Sequence, residues 1–412
     1  MPWALILFLT AVNLLNFFDR YIVHSVEPML KLDFGLTNSQ SATLGSAFVF
    51  GYFIFSPIFG YLGDRKDRRI LMALGLLAWS LCTALTGWSS SFLAFVAARA
   101  LVGIGEASFG AIVPGYLKGR IPDTLKLNRA LSLFYVAIPV GSALGFIAGG
   151  EIAVQWGWRS VFLIAAIPGI LLSLGFFAVA PERPVEQRRE RVAKGFLGGL
   201  AAIFSRRDLT LVIWGYVLNT FAMNGIAMFV VRHGTGLGMD ESTAATYFGF
   251  ILAFTGFVGA LGGGLLASSF AARLTDTVQG LLIFVAATTL AGSPFLCAAF
   301  LASSPWLFFS LCFVAQIALF AGVAPLNSVI VARAPQGMEA LTQGITIFMI
   351  QLFGSAIGPV IIGAVADWLE AGPCAGSPAQ ALALGLQVAT LAMALSGVLW
   401  WVASSRGLRE EG

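Results

Sequence analysis

An aspartate and an arginine, Asp19 and Arg20, stand side by side inside the apolar run Trp3 to Leu30. At bilayer depth bulk water solvates neither, and ionisable residues placed there mark ion or substrate pathways. At about 100° per residue, Asn13, Asn16, Arg20, His24 and Glu27 fall on one stripe, while Asp19 points about 100° away from Arg20. A second pair, Arg99 and Glu106, lies seven residues apart and so nearly on one face of another apolar run. At about 1.5 Å of rise per residue, Arg20 lies roughly 15 Å in from the end of its run, Arg99 about 11 Å and Glu106 about 21 Å. Desolvation favours the neutral form of a buried carboxyl group and a nearby arginine favours the charged form, so an arginine that moves switches proton affinity. Asp19, Arg20 and Glu106 are therefore candidate proton-coupling residues, with either carboxylate able to carry the proton. The plainer readings are an intrahelical pair that neutralises itself and, for Arg99, a structural contact to a backbone carbonyl or to Glu106.

Such residues need helices to hold them at depth. With 58% hydrophobic residues, 11% charged residues and 47 glycines, the composition lies outside the range of soluble globular chains and indicates an all-α integral membrane protein. Twelve apolar stretches are long enough to span, at about 2–30, 39–62, 70–88, 92–117, 128–152, 158–180, 209–231, 241–267, 275–300, 305–332, 339–366 and 379–404. Of the 24 Lys and Arg, 19 flank one set of span ends, among them Arg65 to Arg69, Lys118 to Arg129 and Arg183 to Arg207. The positive-inside rule then puts both termini in the cytoplasm, and the net charge of +4 records topology rather than nucleic-acid binding. The first run starts at once without a basic leader and is read as a spanning helix, not a cleavable signal. Cys82, Cys297 and Cys312 lie in spans, Cys374 stands alone, and His24 and His233 are far apart, so neither a disulfide framework nor a metal or other cofactor is expected.

The longest polar segment divides the chain into an N-terminal half, 1–180, a cytoplasmic linker, 181–208, and a C-terminal half, 209–412. Phe196, Leu197, Leu200, Ile203 and Phe204 recur at helical spacing within the linker and predict a short helix on the inner membrane surface. The halves echo one another: GSALGFIAGG at Gly141–Gly150 matches GSAIGPVIIG at Gly354–Gly363, and GYLGDR at Gly60–Arg65 faces GLLASS at Gly264–Ser269. Similar offsets at corresponding spans indicate duplication into two pseudo-symmetric six-helix halves, an arrangement common among secondary transporters.

The turn GYLGDRKDRRIL, Gly60 to Leu71, closely resembles the signature loop of the major facilitator superfamily, with Asp67 where a glycine is usual. RALVGIGEA, Arg99 to Ala107, resembles the fourth-helix motif of that family, and the fifth-span glycines resemble its antiporter motif, with Phe146 where a proline is common. NFFDR at Asn16–Arg20, GIGEASFGAIVPGYL at Gly103–Leu117 and WGWR at Trp156–Arg159 resemble the spinster group, associated with lysosphingolipid and lysophospholipid transport. The resemblance implies alternating access and a cytoplasmic gate in which Asp64 and Arg65, with Gly60 and Arg69, latch the halves; the plainer reading is that these basic residues only set topology.

Asn13, Asn16, Arg20 and Arg99 are candidate substrate-binding residues, since arginine grips phosphate or carboxylate bidentately. Span interiors of the second half offer no formal charge, and Asn219 and Asn327 are the candidates there. One charged wall and one weakly polar wall suit an amphipathic, lipid-like molecule carried with protons by a monomer among the lipids of a bacterial inner membrane. The alternatives are a carrier of small organic anions or drugs and, from another class, a non-transporting receptor or membrane enzyme. Against an enzyme, the sequence holds no HExxH, GxSxG or Walker pattern.

Overall fold

The computed structural model describes residues 2–178, 195–374 and 377–406; the basic stretch Arg183 to Lys194 and Arg409 lie outside them. Among the described residues the chain forms thirteen helices and no strand, twelve of the helices being long and apolar enough to cross a membrane. They are α1 (Trp3–Asp33), α2 (Asn38–Gly63), α3 (Arg68–Gly87), α4 (Phe92–Arg120), α5 (Thr124–Trp156), α6 (Trp158–Ala178), the short α7 (Phe196–Ser205), α8 (Arg207–Gly236), α9 (Glu241–Ala271), α10 (Thr277–Phe300), α11 (Pro305–Arg333), α12 (Glu339–Ala371) and α13 (Pro378–Arg406). Several overrun the apolar stretches that predict them, because backbone hydrogen bonding continues where hydrophobicity stops. Polar caps set the starts: Thr37 and Gln40 form a reciprocal capping box on α2. Asp67, the departure from the family loop, accepts from the N–H groups of Arg69 and Ile70 and so caps α3.

The chain groups into two compact units, each borrowing a segment. The first comprises residues 1–123, 133–202 and 334–348; the second comprises 124–132, 203–333 and 349–412. In the first, Ile22, Val26, Phe95, Trp158 and Phe162 pack together; in the second, Phe221, Ile226, Phe308, Leu319 and Leu386 do so. Exposed faces are apolar, as at Leu174, Val360 and Leu391, which fits contact with lipid.

The repeated glycines perform the same task in both units. A Cβ at Gly141 or Gly145 would stand 2.5 Å or 2.7 Å from the carbonyl oxygens of Leu14 and Phe18, so α5 presses on α1 beside Asp19 and Arg20. At Gly354 and Gly358 it would stand 3.0 Å from the carbonyl oxygens of Val217 and Phe221, so α12 presses on α8. Small residues permit such backbone approach in membranes. Two interruptions were not legible in the sequence: π-helical turns at Gly259–Gly263 in α9 and Ile350–Ala356 in α12. The short helix expected in the linker is α7, and it packs edge-on through Phe196 against Tyr61.

Candidate functional site

Helix α1 packs on α6 and α2 and carries Asp19 and Arg20 to different neighbours. Asp19 is 2% exposed; its Oδ1 lies 3.4 Å from Arg99 Nη1, and its other oxygen accepts from the Thr83 hydroxyl of α3. Arg99 also donates through Nη2 to the main-chain carbonyl of Asp19, at 3.3 Å. Arg20 turns the other way and donates from Nε to Glu106 Oε2 at 2.8 Å. Two arginine–carboxylate pairs thus connect α1 to α4, with partners exchanged relative to sequence neighbourhood. The intrahelical pair Asp19–Arg20 and the Arg99–Glu106 contact are both superseded by this exchange, because adjacent residues diverge around a helix.

The pairs differ in enclosure. Glu106 and Arg99 are 0% and 1% exposed, and Glu106 Oε1 and Arg99 Nε have no hydrogen-bond partner. The Arg20 side chain retains 17% exposure. Its guanidinium carbon lies 4.4, 4.7 and 4.8 Å from the ring centres of Tyr52, Phe17 and Phe48, which hold it by cation–π attraction. Asn13 is committed to α5, donating to the Phe134 carbonyl at 3.0 Å, and Asn16 is 2% exposed. Of the four candidate substrate residues in this unit, Arg20 therefore has the access. Asn219 and Asn327 belong to the second unit: Asn219 Nδ2 approaches Met223 Sδ at 3.7 Å, and Asn327 Nδ2 donates to Val323 O and Tyr216 Oη. Among the described residues no His, Cys, Asp and Glu cluster suits a metal ion.

A second assembly sits at the α2–α3 turn. The Asp64 carboxylate accepts from the N–H groups of Ala340 and Leu341 at 3.0 and 2.8 Å, the first turn of α12, where helix N–H groups lack internal partners. Gly60 makes the approach possible: a Cβ there would meet the Ala340 carbonyl oxygen at 2.4 Å. Of the basic residues expected here from the sequence, Arg65 stacks on Tyr61, 3.7 Å from its ring centre, and Arg69 pairs with Asp67 at 3.6 Å. The central cation is Arg68. It is 3% exposed and donates to Asp64, Glu339 and the carbonyls of Gly63 and Gly115. Its i, i+4 spacing from Asp64 was the available signal. At the equivalent place in the second unit a neutral set replaces the charged one. There Asn128 donates to the Gly264 carbonyl and to Ser268 Oγ.

Burial pushes the Asp64 carboxyl up to about 6, against Arg68 and the Leu341 and Ala340 N–H groups, while Glu339 adds to the rise. An exposed aspartate titrates near ~3.9. The closed contact therefore binds the proton more tightly than a released Asp64 does, and its pH-dependent stability is fully present below ~4 and lost as pH rises through about 6. Spin labels at the exposed positions 66 and 336 should report a larger closed population at about pH 5 than at about pH 7.5, and Asp64→Asn should flatten that response. A response that survives the substitution would assign the titration to another group.

The profile of the Major Facilitator Superfamily matches residues 9–359. Among curated relatives, a probable sphingolipid transporter, spinster homolog 1 of Arabidopsis thaliana, is 27% identical over 90% of this chain and 84% of its own. Human spinster homolog 1 is 29% identical over 94% of this chain and 77% of its own. Among solved structures, a bacterial homolog of the human lysosomal transporter Spinster, inward-facing and unoccupied, aligns with a TM-score of 0.63 at 22% identity over 100% of this chain and 98% of that one. The transporter FucP in its outward conformation aligns with a TM-score of 0.78 at 16% identity over 97% and 98%.

Proposed function

The chain belongs to the Major Facilitator Superfamily, and from that premise we propose that it is a proton-coupled secondary transporter working by alternating access on an amphipathic, lipid-like molecule. The observation that carries the coupling is the exchanged pairing of Asp19 with Arg99 and Arg20 with Glu106. A proton arriving at Glu106 neutralises the partner of Arg20 and frees the guanidinium to take a phosphate or carboxylate head group. When the ligand leaves, Arg20 returns to Glu106 and the proton is expelled. Asp19 holds Arg99 as the neighbouring fixed charge and is the second candidate proton carrier. Asn13 and Asn16 position α1, and Asn219 and Asn327 are proposed as neutral contributors.

Relatives named as sphingolipid transporters support the amphiphile. So does the lack of charge in the interiors of the C-terminal spans, since an apolar tail gains about 0.8 kcal/mol per methylene taken out of water. In liposomes with an imposed pH gradient, substrate-dependent proton flux is expected. Affinity across a lysolipid series sharing one head group should rise about fourfold per added methylene until the site is filled. Tight binding of the bare head group with a flat chain-length response would select the small-anion carrier instead.

We place both termini and the 181–208 segment in the cytoplasm, the protein working as a monomer in a bacterial inner membrane. With the four native cysteines replaced, single cysteines at positions 190 and 235 should label from opposite sides. Labelling from one side would overturn this orientation.

A further inference from the structure

The second unit carries a polar group that the ion pairs do not use. On α8, Asn224 Nδ2 donates to the Thr220 carbonyl at 3.0 Å and to Ser355 Oγ at 3.2 Å. Ser355, in the π-helical turn of α12, donates in turn to Gln351 Oε1 at 2.7 Å. The chain consumes both amide hydrogens of Asn224 and the Ser355 proton, leaving Asn224 Oδ1 as an acceptor and Gln351 Nε2 as a donor of two hydrogens. All three side chains are half-buried.

Depth decides what these open groups face. The π turn begins at Ile350, eleven residues into the Glu339–Ala371 span, hence roughly 17 Å from its start. Unpaired amide groups at that depth are costly against hydrocarbon, and irregular backbone is tolerated there where it lines a cavity or is enclosed by protein. The large apolar side chains that α12 exposes, Val360, Ile361 and Trp368, lie further along it. π turns recur at functional sites because the extra residue re-aims side chains.

We propose that Asn224, Ser355 and Gln351 form a neutral hydrogen-bonding subsite for a hydroxyl or amide group of the transported amphiphile, Asn224 Oδ1 accepting from it and Gln351 Nε2 donating to it. The inference rests on the transport reading and narrows its substrate class. An amphiphile bearing only a charged head and hydrocarbon leaves both groups unpaired, whereas one that also carries a hydroxyl or amide satisfies them.

Two probes of equal chain length test this with the purified full chain in nanodiscs: a 1-acyl-glycerol-3-phosphate and its 2-deoxy counterpart, which lacks the hydroxyl. Titration calorimetry should give wild type a preference of about five- to a hundredfold for the hydroxyl-bearing probe, the usual worth of two hydrogen bonds. Gln351→Leu and Asn224→Leu should each lower the ratio about three- to tenfold, and the double variant should bring it to about one. Ser355→Ala, which removes a single oxygen, guards against unfolding and should lower the ratio at least about twofold. A wild-type ratio near one, or a preference that survives these substitutions, overturns the subsite alone. Failure of wild type to bind either probe overturns the lipid-like reading together with it.

Discussion

Arg20→Ala is expected to abolish proton-driven uptake and to destabilise the protein, and Glu106→Gln in the same chain should recover the stability without the transport. The truncation leaves Glu106, fully enclosed, without the guanidinium that donates to its Oε2. Breaking a buried pair by removing one member costs about 3–5 kcal/mol, whereas replacing both members by neutral groups is far less costly. A double-mutant cycle on thermal unfolding in detergent measures the coupling directly. Equal losses in the single and double variants would show that Arg20 acts through its three aromatic neighbours rather than through Glu106. Asp19→Asn makes the companion measurement. Its amide oxygen can still accept from Thr83 or Arg99, so exchange of unlabelled for labelled substrate should persist, while accumulation driven by a pH gradient is lost if Asp19 rather than Glu106 carries the proton. Undiminished accumulation would leave Glu106 as the proton carrier.

Asp64→Ala is expected to release the start of α12 from the α2–α3 turn. It removes the acceptor of two helix N–H groups and one of the carboxylates that hold the Arg68 guanidinium. Each buried donor left without an acceptor costs about 1–3 kcal/mol, so the closed contact should lose on the order of ten- to a hundredfold in population. Labels at positions 66 and 336 read the change as a shift to longer distances. Arg65→Ala, which loses a cation–π stack on Tyr61 but no acceptor of a helix N–H group, should shift it far less. If both variants matched wild type, the loop would be left with its topological role alone.

Hydropathy alone was sufficient to identify the twelve spans, because a bilayer demands about 20 apolar residues from every crossing helix whatever packs beside it. The duplicated glycines were legible for a related reason, since backbone approach excludes any side chain and so leaves a mark in the residue type itself. Depth likewise singled out Asp19, Arg20, Arg99 and Glu106. Their partners were not legible: a helical wheel fixes the direction of a side chain on its own helix but not the helix that lies in that direction. Only the fold, which brings α1 within arginine reach of α4, paired Asp19 with Arg99 and Arg20 with Glu106. The same limit hid Arg68 among four neighbouring basic residues and made Asn13 look available when a carbonyl of α5 already holds it. The π turn that brings Gln351 beside Ser355 was decided by tertiary structure as well, for an extra residue in one turn leaves the apolar pattern of a membrane helix unchanged.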